Sequence, residues 1–380
     1  MQSSPTPGAP VPPVYLDAAS STALHPAARD VLRAALERGY GDPRRLHGAG
    51  RDARLLLDNA RAVVAECLGV RADEVAFTAS GTDAVHRGLL GLVAAQAPSG
   101  RAGVAHTAVE HSSVLHAVAW RPSDDHVALP VDRLGRVAPD VVAAAAGRPG
   151  TAAVAVQAAN QEIGTRQPVD ELDLPAGVPL FVDAAAALGH ADLPTRWDVL
   201  TASGHKWGGP AGVGVLAVRR GTRWHNPFPG EDVLEPDGFP DVPAALAAAA
   251  ALQAVLAERT EVAARQRVLV DRIRAAAAAL PDTEVVGDPD DRLPHLVTFS
   301  CLYLAGDELV TDLDRQGFGV ASGSACTAST LEPSHVLAAI GALTHGNVRV
   351  SLTRETTAEQ VDAFCRALGE TVERLRRGVL

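Results

Sequence analysis

The sequence predicts an α/β protein built on a mostly parallel β-sheet with helices on both of its faces. Short apolar runs, typical of buried parallel strands, alternate along the chain with alanine-rich stretches that are typical of helices. A chain of 380 residues is also long for a single hydrophobic core, which indicates two domains. The runs predicted as strands of the larger sheet are residues 74–77, 103–106, 152–157, 180–182, 199–202 and 213–218.

A second, smaller domain is predicted in the last third of the chain. An alanine- and leucine-rich stretch over residues 243–279 predicts a long helix, continuous or broken, that crosses into this domain. After it we expect strands at 295–301 and 348–352 and helices at 307–315 and 357–376. The predicted divisions are a disordered proline-rich tail over residues 1–13, a large domain over 14–255 and a small C-terminal domain over 256–380.

The overall composition argues against several classes of function. The chain carries 34 Lys and Arg residues against 45 Asp and Glu, a net charge of −11, and has no basic run, so no nucleic-acid partner is expected. We expect no membrane span, since no apolar stretch reaches the required length, and no signal peptide, since the first residues lack a basic segment. The cysteines have no paired spacing, which argues against disulfides or zinc and favours a reducing cytoplasm. They are Cys67, Cys301, Cys326 and Cys365.

A lysine at the end of a predicted strand is the strongest candidate for catalysis. Lys206 follows the apolar run 198–200 in the segment TASGHKWGGP, among small residues. Desolvation and a nearby cation lower the pKa of a lysine, which favours a Schiff base with an aldehyde cofactor. Ser203 and His205 offer short hydrogen-bond donors to a phosphate there. The alternative is a lysine in an ordinary glycine-rich turn.

Two other strand ends favour the catalytic interpretation. Asp183 ends the apolar run 180–182, at the edge where open α/β sheets bind ligands, and an aspartate there can keep the ring nitrogen of pyridoxal phosphate protonated. The alternative for Asp183 is a helix N-cap. The segment FTASGTDA places Gly81 and Thr82 at a strand-to-helix turn, where free N–H groups bind phosphate.

Motifs spread over nearly the whole chain carry a resemblance to a known family. They are YLDAASST at 15–22, LHGAGRDA at 46–53, SGT at 80–82, VEHSSV at 109–114, NQEIGT at 160–165, SGSACT at 322–327 and NVRVSL at 347–352. Together with the lysine and aspartate segments, they make the chain similar to the cysteine desulfurases, in the class V aminotransferase branch of the pyridoxal-phosphate enzymes. The SGSACT run is the most diagnostic, since it marks the branch with a long mobile cysteine loop.

This resemblance implies a fold, a cofactor and partners. The implied fold is aminotransferase-like, of pyridoxal-phosphate fold type I, with a mostly parallel seven-stranded sheet flanked by helices and a smaller α+β domain. The implied cofactor is pyridoxal 5'-phosphate and the implied substrate is L-cysteine. The implied partners are a sulfur-acceptor protein and a second copy of the chain in a homodimer.

The resemblance also implies roles for single residues. Lys206 would hold the cofactor as a Schiff base and then act as the base at the substrate Cα, while Asp183 would pair with the ring nitrogen. His111 would stack over the ring, with a solvated histidine as the alternative. Arg349, between two valines on a predicted strand, would bind the substrate carboxylate, with a surface salt bridge as the alternative. The phosphate would be held by Gly81, Thr82, Ser203 and His205.

Cys326 is the residue that would select the reaction within the family. It lies in a small, polar stretch, residues 321–330, where a core thiol is not expected, whereas the other cysteines lie among apolar residues. The resemblance implies that its thiolate attacks the sulfur of the bound substrate. That step would leave a persulfide on Cys326 and yield alanine.

Several positions depart from the family pattern. Ala186 stands where the family has a glutamine and Gln161 where it has an asparagine, and both positions contact the phenolic oxygen of the cofactor in the family. Gln161 is still expected to bind the cofactor. Ala18 replaces an asparagine of the opening motif, and Phe239 falls where a threonine normally reaches the phosphate of the neighbouring subunit. The outer cofactor shell is therefore altered while its centre is kept.

Three functions compete on these grounds. The first is a cysteine desulfurase, and the second is another pyridoxal-phosphate carbon–sulfur lyase acting on a larger cysteine conjugate. The third is a degenerate homologue that serves as a binding subunit in sulfur transfer. Retention of the full cysteine motif counts against the second, and retention of the lysine, aspartate, histidine and arginine counts against the third. The acceptor is open between an iron–sulfur scaffold, a tRNA-modifying enzyme, cofactor biosynthesis and DNA phosphorothioation.

Overall fold

The computed structural model describes residues 13–322 and 333–379, so the predicted tail up to residue 12 and the Cys326 segment lie outside the described residues. The strands are β1 Val14–Tyr15, β2 Val75–Thr78, β3 Gly103–Thr107, β4 Val127–Leu129, β5 Thr151–Ala155, β6 Leu180–Asp183, β7 Val199–Ser203, β8 Gly214–Val218, β9 Thr283–Val286, β10 Leu296–Cys301, β11 Phe318–Gly319 and β12 Asn347–Ser351. The helices are α1 Pro26–Arg38, α2 Gly48–Leu68, α3 Gly81–Gln96, α4 Ser112–Trp120, α5 Pro139–Ala146, α6 Val242–Ala278, α7 Gly306–Arg315, α8 His335–Ala339 and α9 Ala358–Val379.

A seven-stranded sheet forms the centre of the molecule. Its strand order is β2-β8-β7-β6-β5-β3-β4. Strand β8 runs antiparallel to both of its neighbours, and the remaining neighbours pair in parallel. The predicted α/β class with a mostly parallel seven-stranded sheet is therefore confirmed.

Helices cover both faces of this sheet. Successive residues of a strand point to opposite faces, so both faces of the sheet carry apolar side chains that pack against helices. On β6, Val182 is buried in one apolar cluster with residues of α2 and α6, such as Leu57 and Ala248. Its neighbour Phe181 is buried in a second cluster with residues of α3, such as Leu89. Strands β5, β6 and β7 are buried along their whole length because neither of their faces meets water, which explains the largely apolar runs in the sequence.

A smaller sheet and its helices form a separate apolar cluster. Strand β10 pairs antiparallel with both β12 and β9, and β1 pairs in parallel with β11. The second half of α6 contributes Leu269, Val270 and Ile273 to this cluster, and the start of the chain contributes Val14 and Leu16. The predicted division at residue 255 falls inside α6, which is one continuous helix of 37 residues. The first strand thus packs with the last third of the chain.

Helix α6 corrects one expectation from the sequence. It is long and apolar enough to cross a membrane by length and composition, although no stretch of that length was expected. Half of its most apolar window is buried inside the protein. Alanines such as Ala247 and Ala251 are fully covered by neighbouring elements. Packing in the protein core therefore accounts for the composition of the buried half of this helix.

Candidate active site

A cavity of about 360 Å³ lies where β6, β7 and β12 meet the start of α3. It is placed at the carboxyl ends of parallel strands, where α/β sheets commonly bind ligands. Every predicted site residue that the structure describes lines this cavity. They are Gly81, Thr82, His111, Gln161, Asp183, Ser203, His205, Lys206 and Arg349.

Lys206 reaches the cavity from the turn that ends β7. The turn Gly204–Lys206 is a single helical turn directly after the strand. Nζ of Lys206 donates hydrogen bonds to the main-chain oxygens of Ala19, at 2.5 Å, and Ser20, at 3.0 Å. The amine is therefore held by the segment that follows β1, inside the cavity, and is not on an outer surface turn.

Asp183 lies on the strand next to that of Lys206. It ends β6 and pairs with Thr201 of β7, so the carboxylate and the lysine project from adjacent strand ends. One oxygen, Oδ1, accepts a hydrogen bond from the Ala185 N–H at 3.0 Å. Burial raises the pKa of Asp183 to about 6, against the opposing effects of that N–H and of Lys206. The carboxylate is thus buried, cavity-facing and mostly ionised at neutral pH.

His111 is fixed at the start of α4. Its Nδ1 accepts a hydrogen bond from the Ser113 N–H at 3.1 Å and lies 2.8 Å from the Ser113 hydroxyl, so the ring caps the helix. Burial, followed by the charge of Lys206, lowers the pKa of His111 to about 4. The ring is therefore neutral at pH 7 and carries its proton on Nε2, since Nδ1 acts as an acceptor.

The start of α3 packs directly against the end of β7. A Cβ on Gly81 would lie 2.6 Å from Cβ of Ser203, so only glycine fits this junction. The Ser80 side chain accepts a hydrogen bond from the Asp83 N–H, and Ser203 Oγ lies 3.0 Å from Nδ1 of His205. Helix N–H groups and hydroxyls therefore meet at one end of the cavity, an arrangement suited to an anion.

Arg349 enters from the smaller sheet. Its Nη2 donates to Asp17 Oδ1 at 2.9 Å and to Ser20 Oγ at 2.6 Å, and its Nη1 donates to the Gln161 main-chain oxygen at 3.2 Å. The side chain is 4% exposed, which excludes a surface salt bridge. Its two valine neighbours, Val348 and Val350, are buried in the cluster of the smaller sheet. The guanidinium therefore faces the cavity from a fixed position.

Comparisons with known proteins identify the family of the chain. Residues 14–364 match the family model described as aminotransferase class-V. The chain is 36% identical over 389 residues to a protein named IscS-like cysteine desulfurase from Mycobacterium tuberculosis, with 96% of this chain and 98% of the relative covered. The chain belongs to the class-V aminotransferases, in the cysteine desulfurase family. It is also 32% identical over 377 residues to a cysteine desulfurase IscS from Dictyoglomus turgidum, with 96% and 95% covered.

The fold of this class-V aminotransferase is likewise similar to that of a solved NifS-like protein. The two superpose with a TM-score of 0.87 at 26% sequence identity. The alignment covers 95% of this chain and 99% of the other. The likeness therefore extends over both sheets and their helices.

Four residues of this class-V aminotransferase line or flank the cavity although sequence analysis did not select them. Gln157, His190 and His295 line it. Glu110 lies beside them, where its Oε1 accepts hydrogen bonds from the Thr107 hydroxyl at 2.7 Å and from the Gln157 N–H at 2.9 Å. Burial raises the pKa of Glu110 to about 8. Glu110 lies within the motif at residues 109–114 but was not singled out there, and no local motif marks the other three, which come together only through the fold.

The positions that depart from the family pattern fall into two groups. Ala18, Gln161 and Ala186 line the cavity, so these altered residues lie beside the predicted cofactor position. Phe239 is 54% exposed, and its ring centroid lies 6.0 Å from that of Tyr40.

Proposed function

We propose that this chain is a pyridoxal 5'-phosphate-dependent cysteine desulfurase. It removes sulfur from L-cysteine and gives L-alanine and a persulfide on Cys326. The observation that carries the proposal is the convergence of Lys206, Asp183 and Arg349 on one cavity in a chain that matches cysteine desulfurases over 96% of its length. Cys326 lies outside the described residues, and its role is supported by the family resemblance of segment 322–327.

The cavity residues fit the proposed cofactor. Gly81 and Thr82, the first residues of α3, line the cavity beside the Ser203 hydroxyl, so their main-chain N–H groups and the Thr82 hydroxyl would bind a phosphate. Asp183 would accept a hydrogen bond from the ring nitrogen, and Lys206 would hold the aldehyde. When bound, pyridoxal phosphate supplies an electron sink that makes the substrate Cα–H acidic and weakens the Cβ–S bond.

The protein residues provide binding and proton transfer. Arg349 binds the substrate carboxylate, which places Cα near Lys206. The amine of Lys206 would take the Cα proton of the bound substrate. The ring of His111 would cover the cofactor and would add no positive charge there, since its pKa lies at about 4. Asp183 is mostly ionised above its pKa of about 6, so it balances a protonated ring nitrogen at pH 7.

The sulfur is then transferred to the protein. The Cys326 thiolate attacks the substrate sulfur, so an S–S bond forms while the Cβ–S bond breaks. The electron pair of that bond goes to Cβ, which takes up a proton and becomes the methyl group of alanine. Atoms balance without an added oxidant, because cysteine plus a thiol gives alanine plus a persulfide. We further propose a homodimer in a reducing cytoplasm that delivers this sulfur to an acceptor protein.

A Cys326→Ser variant tests the proposed function. The wild-type holoenzyme with L-cysteine and a reductant should release equal amounts of L-alanine and sulfide. Cys326→Ser should reduce that turnover by at least about 100-fold, because a hydroxyl cannot accept the sulfur, while binding of L-alanine measured by calorimetry stays unchanged. Cys365→Ser serves as the matched control, since burial raises the pKa of that thiol to about 11 and makes it unreactive. Near-normal turnover by Cys326→Ser would instead support a carbon–sulfur lyase, which expels its thiol without a protein nucleophile.

A further inference from the structure

Two histidines stack face to face in the wall of the cavity. The ring centroids of His190 and His295 lie 3.8 Å apart, with an angle of 21° between the ring planes. Nε2 of His190 donates a hydrogen bond to the main-chain oxygen of Lys206 at 3.1 Å, which ties this ring to the turn that carries the lysine. His295 is only 2% exposed, so stacking and burial together fix its ring.

The ring of His295 leaves one nitrogen available to a ligand. Its Nδ1 is buried and has no hydrogen-bond partner among the residues that the structure describes, and the same holds for Nε of Arg349. Both side chains line the cavity. Buried polar atoms in folded proteins nearly always have partners, so two such nitrogens at one cavity indicate a ligand that accepts hydrogen bonds.

One nitrogen belongs to β12, and the other belongs to the residue directly before β10. Arg349 pairs with Thr298 across β12 and β10. The main-chain oxygen of His295 accepts a hydrogen bond from the Leu352 N–H at 2.7 Å, which continues the same strand pairing by one step. The main chain at both positions is therefore fixed by this antiparallel pair, and both side chains line the cavity at its end. Such a support can present two donors to one small ligand.

The surroundings favour an anion at this position. Burial, His190, Arg349 and Lys206 hold the pKa of His295 well below its usual range, so the ring is neutral and carries a single N–H. Burial also lowers the pKa of His190 to about 4, which keeps the stacked pair uncharged. The guanidinium of Arg349, which also binds Asp17, attracts an anion. A carboxylate offers two oxygens, one for each available nitrogen.

We propose that His295 binds the carboxylate of the amino-acid substrate through Nδ1–H, beside Arg349, while His190 positions its ring. The proposal rests on the proposed function, since it takes an amino acid with a free α-carboxylate as the substrate. His295 is then a binding residue that favours α-amino acids over simple amines. His190 acts through its contacts with His295 and Lys206 and is a positioning residue.

Isothermal titration calorimetry on the holoenzyme tests the assignment, with L-alanine as the carboxylate ligand and ethylamine as the analogue without it. His295→Asn removes the ring but keeps an amide N–H near the position of Nδ1. His295→Gln also removes the ring, but its amide lies near the position of Nε2. A hydrogen bond to a charged group changes affinity about 10- to 100-fold. In His295→Gln we expect the affinity for L-alanine to fall by this factor. In His295→Asn we expect it to fall by less than about threefold. The affinity for ethylamine should be unchanged in both variants.

Equal losses in the two variants, or an equal loss of ethylamine affinity, would overturn the assignment. If neither variant folds, a crystal structure of the wild-type holoenzyme with L-alanine decides. A carboxylate oxygen within about 3.2 Å of His295 Nδ1 supports the assignment, and a distance beyond about 3.5 Å rejects it. If the wild-type protein neither binds L-alanine nor releases L-alanine from L-cysteine, the proposed function is wrong as well. That result differs from one in which only the His295 variants fail to meet the expectation.

Discussion

Glu110 illustrates how single side chains at this site are kept away from their ordinary charge state. Its Oε1 accepts two hydrogen bonds, while Oε2 is buried without a partner among the described residues. Burial therefore outweighs the two hydrogen bonds and raises its pKa to about 8, with the nearby charge of Asp183 adding to the effect. At neutral pH this carboxyl group is mostly protonated, directly before His111 in the chain.

The raised pKa of Glu110 predicts a pH-dependent stability. Between about pH 4.5 and 8 the folded protein keeps a proton that the unfolded chain releases, so the free energy of unfolding falls as pH rises through this range. The glutamine of Glu110→Gln does not titrate, so the unfolding free energy of this variant lacks this contribution to the pH dependence. The stability of the wild type relative to Glu110→Gln should decrease by on the order of 3 kcal/mol from pH 5 to pH 8. Urea unfolding of the apoprotein at several pH values measures it.

The control is Glu261→Gln, which removes an exposed carboxyl group of α6. Its unfolding free energy should follow the wild-type pH dependence. A constant offset between Glu110→Gln and the wild type across the whole range would show that Glu110 is ionised in the folded protein, against the expectation.

Helix α3 shows how one contact between two elements can determine an anion site. Its first residue, Gly81, lies so close to Ser203 at the end of β7 that any side chain would displace one element from the other. Gly81→Ala should therefore destabilise the protein by about 1–3 kcal/mol and weaken its affinity for inorganic phosphate, since the helix start moves away from the Ser203 hydroxyl. Thermal unfolding and phosphate titration of the apoprotein measure both effects.

Gly369→Ala, in α9, is the matched control. A Cβ at that position meets no atom within 4 Å, so alanine should stabilise the helix by about 0.5–1 kcal/mol. Unchanged stability and phosphate affinity in Gly81→Ala would mean that the two elements can separate at no cost, and would remove the basis for the phosphate site.

The elements that sequence analysis predicted are those with a clear local pattern. Strand β10 and helix α6 were expected from their apolar runs and alanine content, and both lie within a residue or two of the expected bounds. Strands β1 and β11 have two residues each, too few for any periodicity to appear. The stacking of His190 on His295 was not predictable either, because 104 residues separate them in the chain and only the fold brings their rings together.

At the scale of the whole molecule, the segment after β1 connects the two apolar clusters with the site. Leu16 is fully buried in the cluster of the smaller sheet. One residue further on, Asp17 binds Arg349, and Ala19 accepts a hydrogen bond from Lys206 of the larger sheet. This segment therefore fixes both the lysine and the arginine, although it belongs to neither sheet's central strands.

Leu16→Ala should show how much of the global stability depends on this anchor. Loss of a fully buried leucine side chain destabilises a protein by about 2–5 kcal/mol. Val268→Ala, at a side chain that is 56% exposed on α6, is the control and should change stability by less than about 0.5 kcal/mol. Urea unfolding of both variants gives the comparison. A similarly small change in both variants would mean that the buried side chain of Leu16 contributes little to the stability of the protein.

The distance along the chain between Asp17 and Arg349 has a consequence for biosynthesis. The two residues are 332 positions apart, and a ribosome delivers the first long before the second. Val14, Tyr15 and Asp17 leave the exit tunnel long before their partners in β11 and β12, so these contacts form only when translation is almost complete. A chain that stalls before residue 347 holds its lysine but not its arginine, and the nascent polypeptide therefore cannot bind an amino acid productively until synthesis has nearly ended.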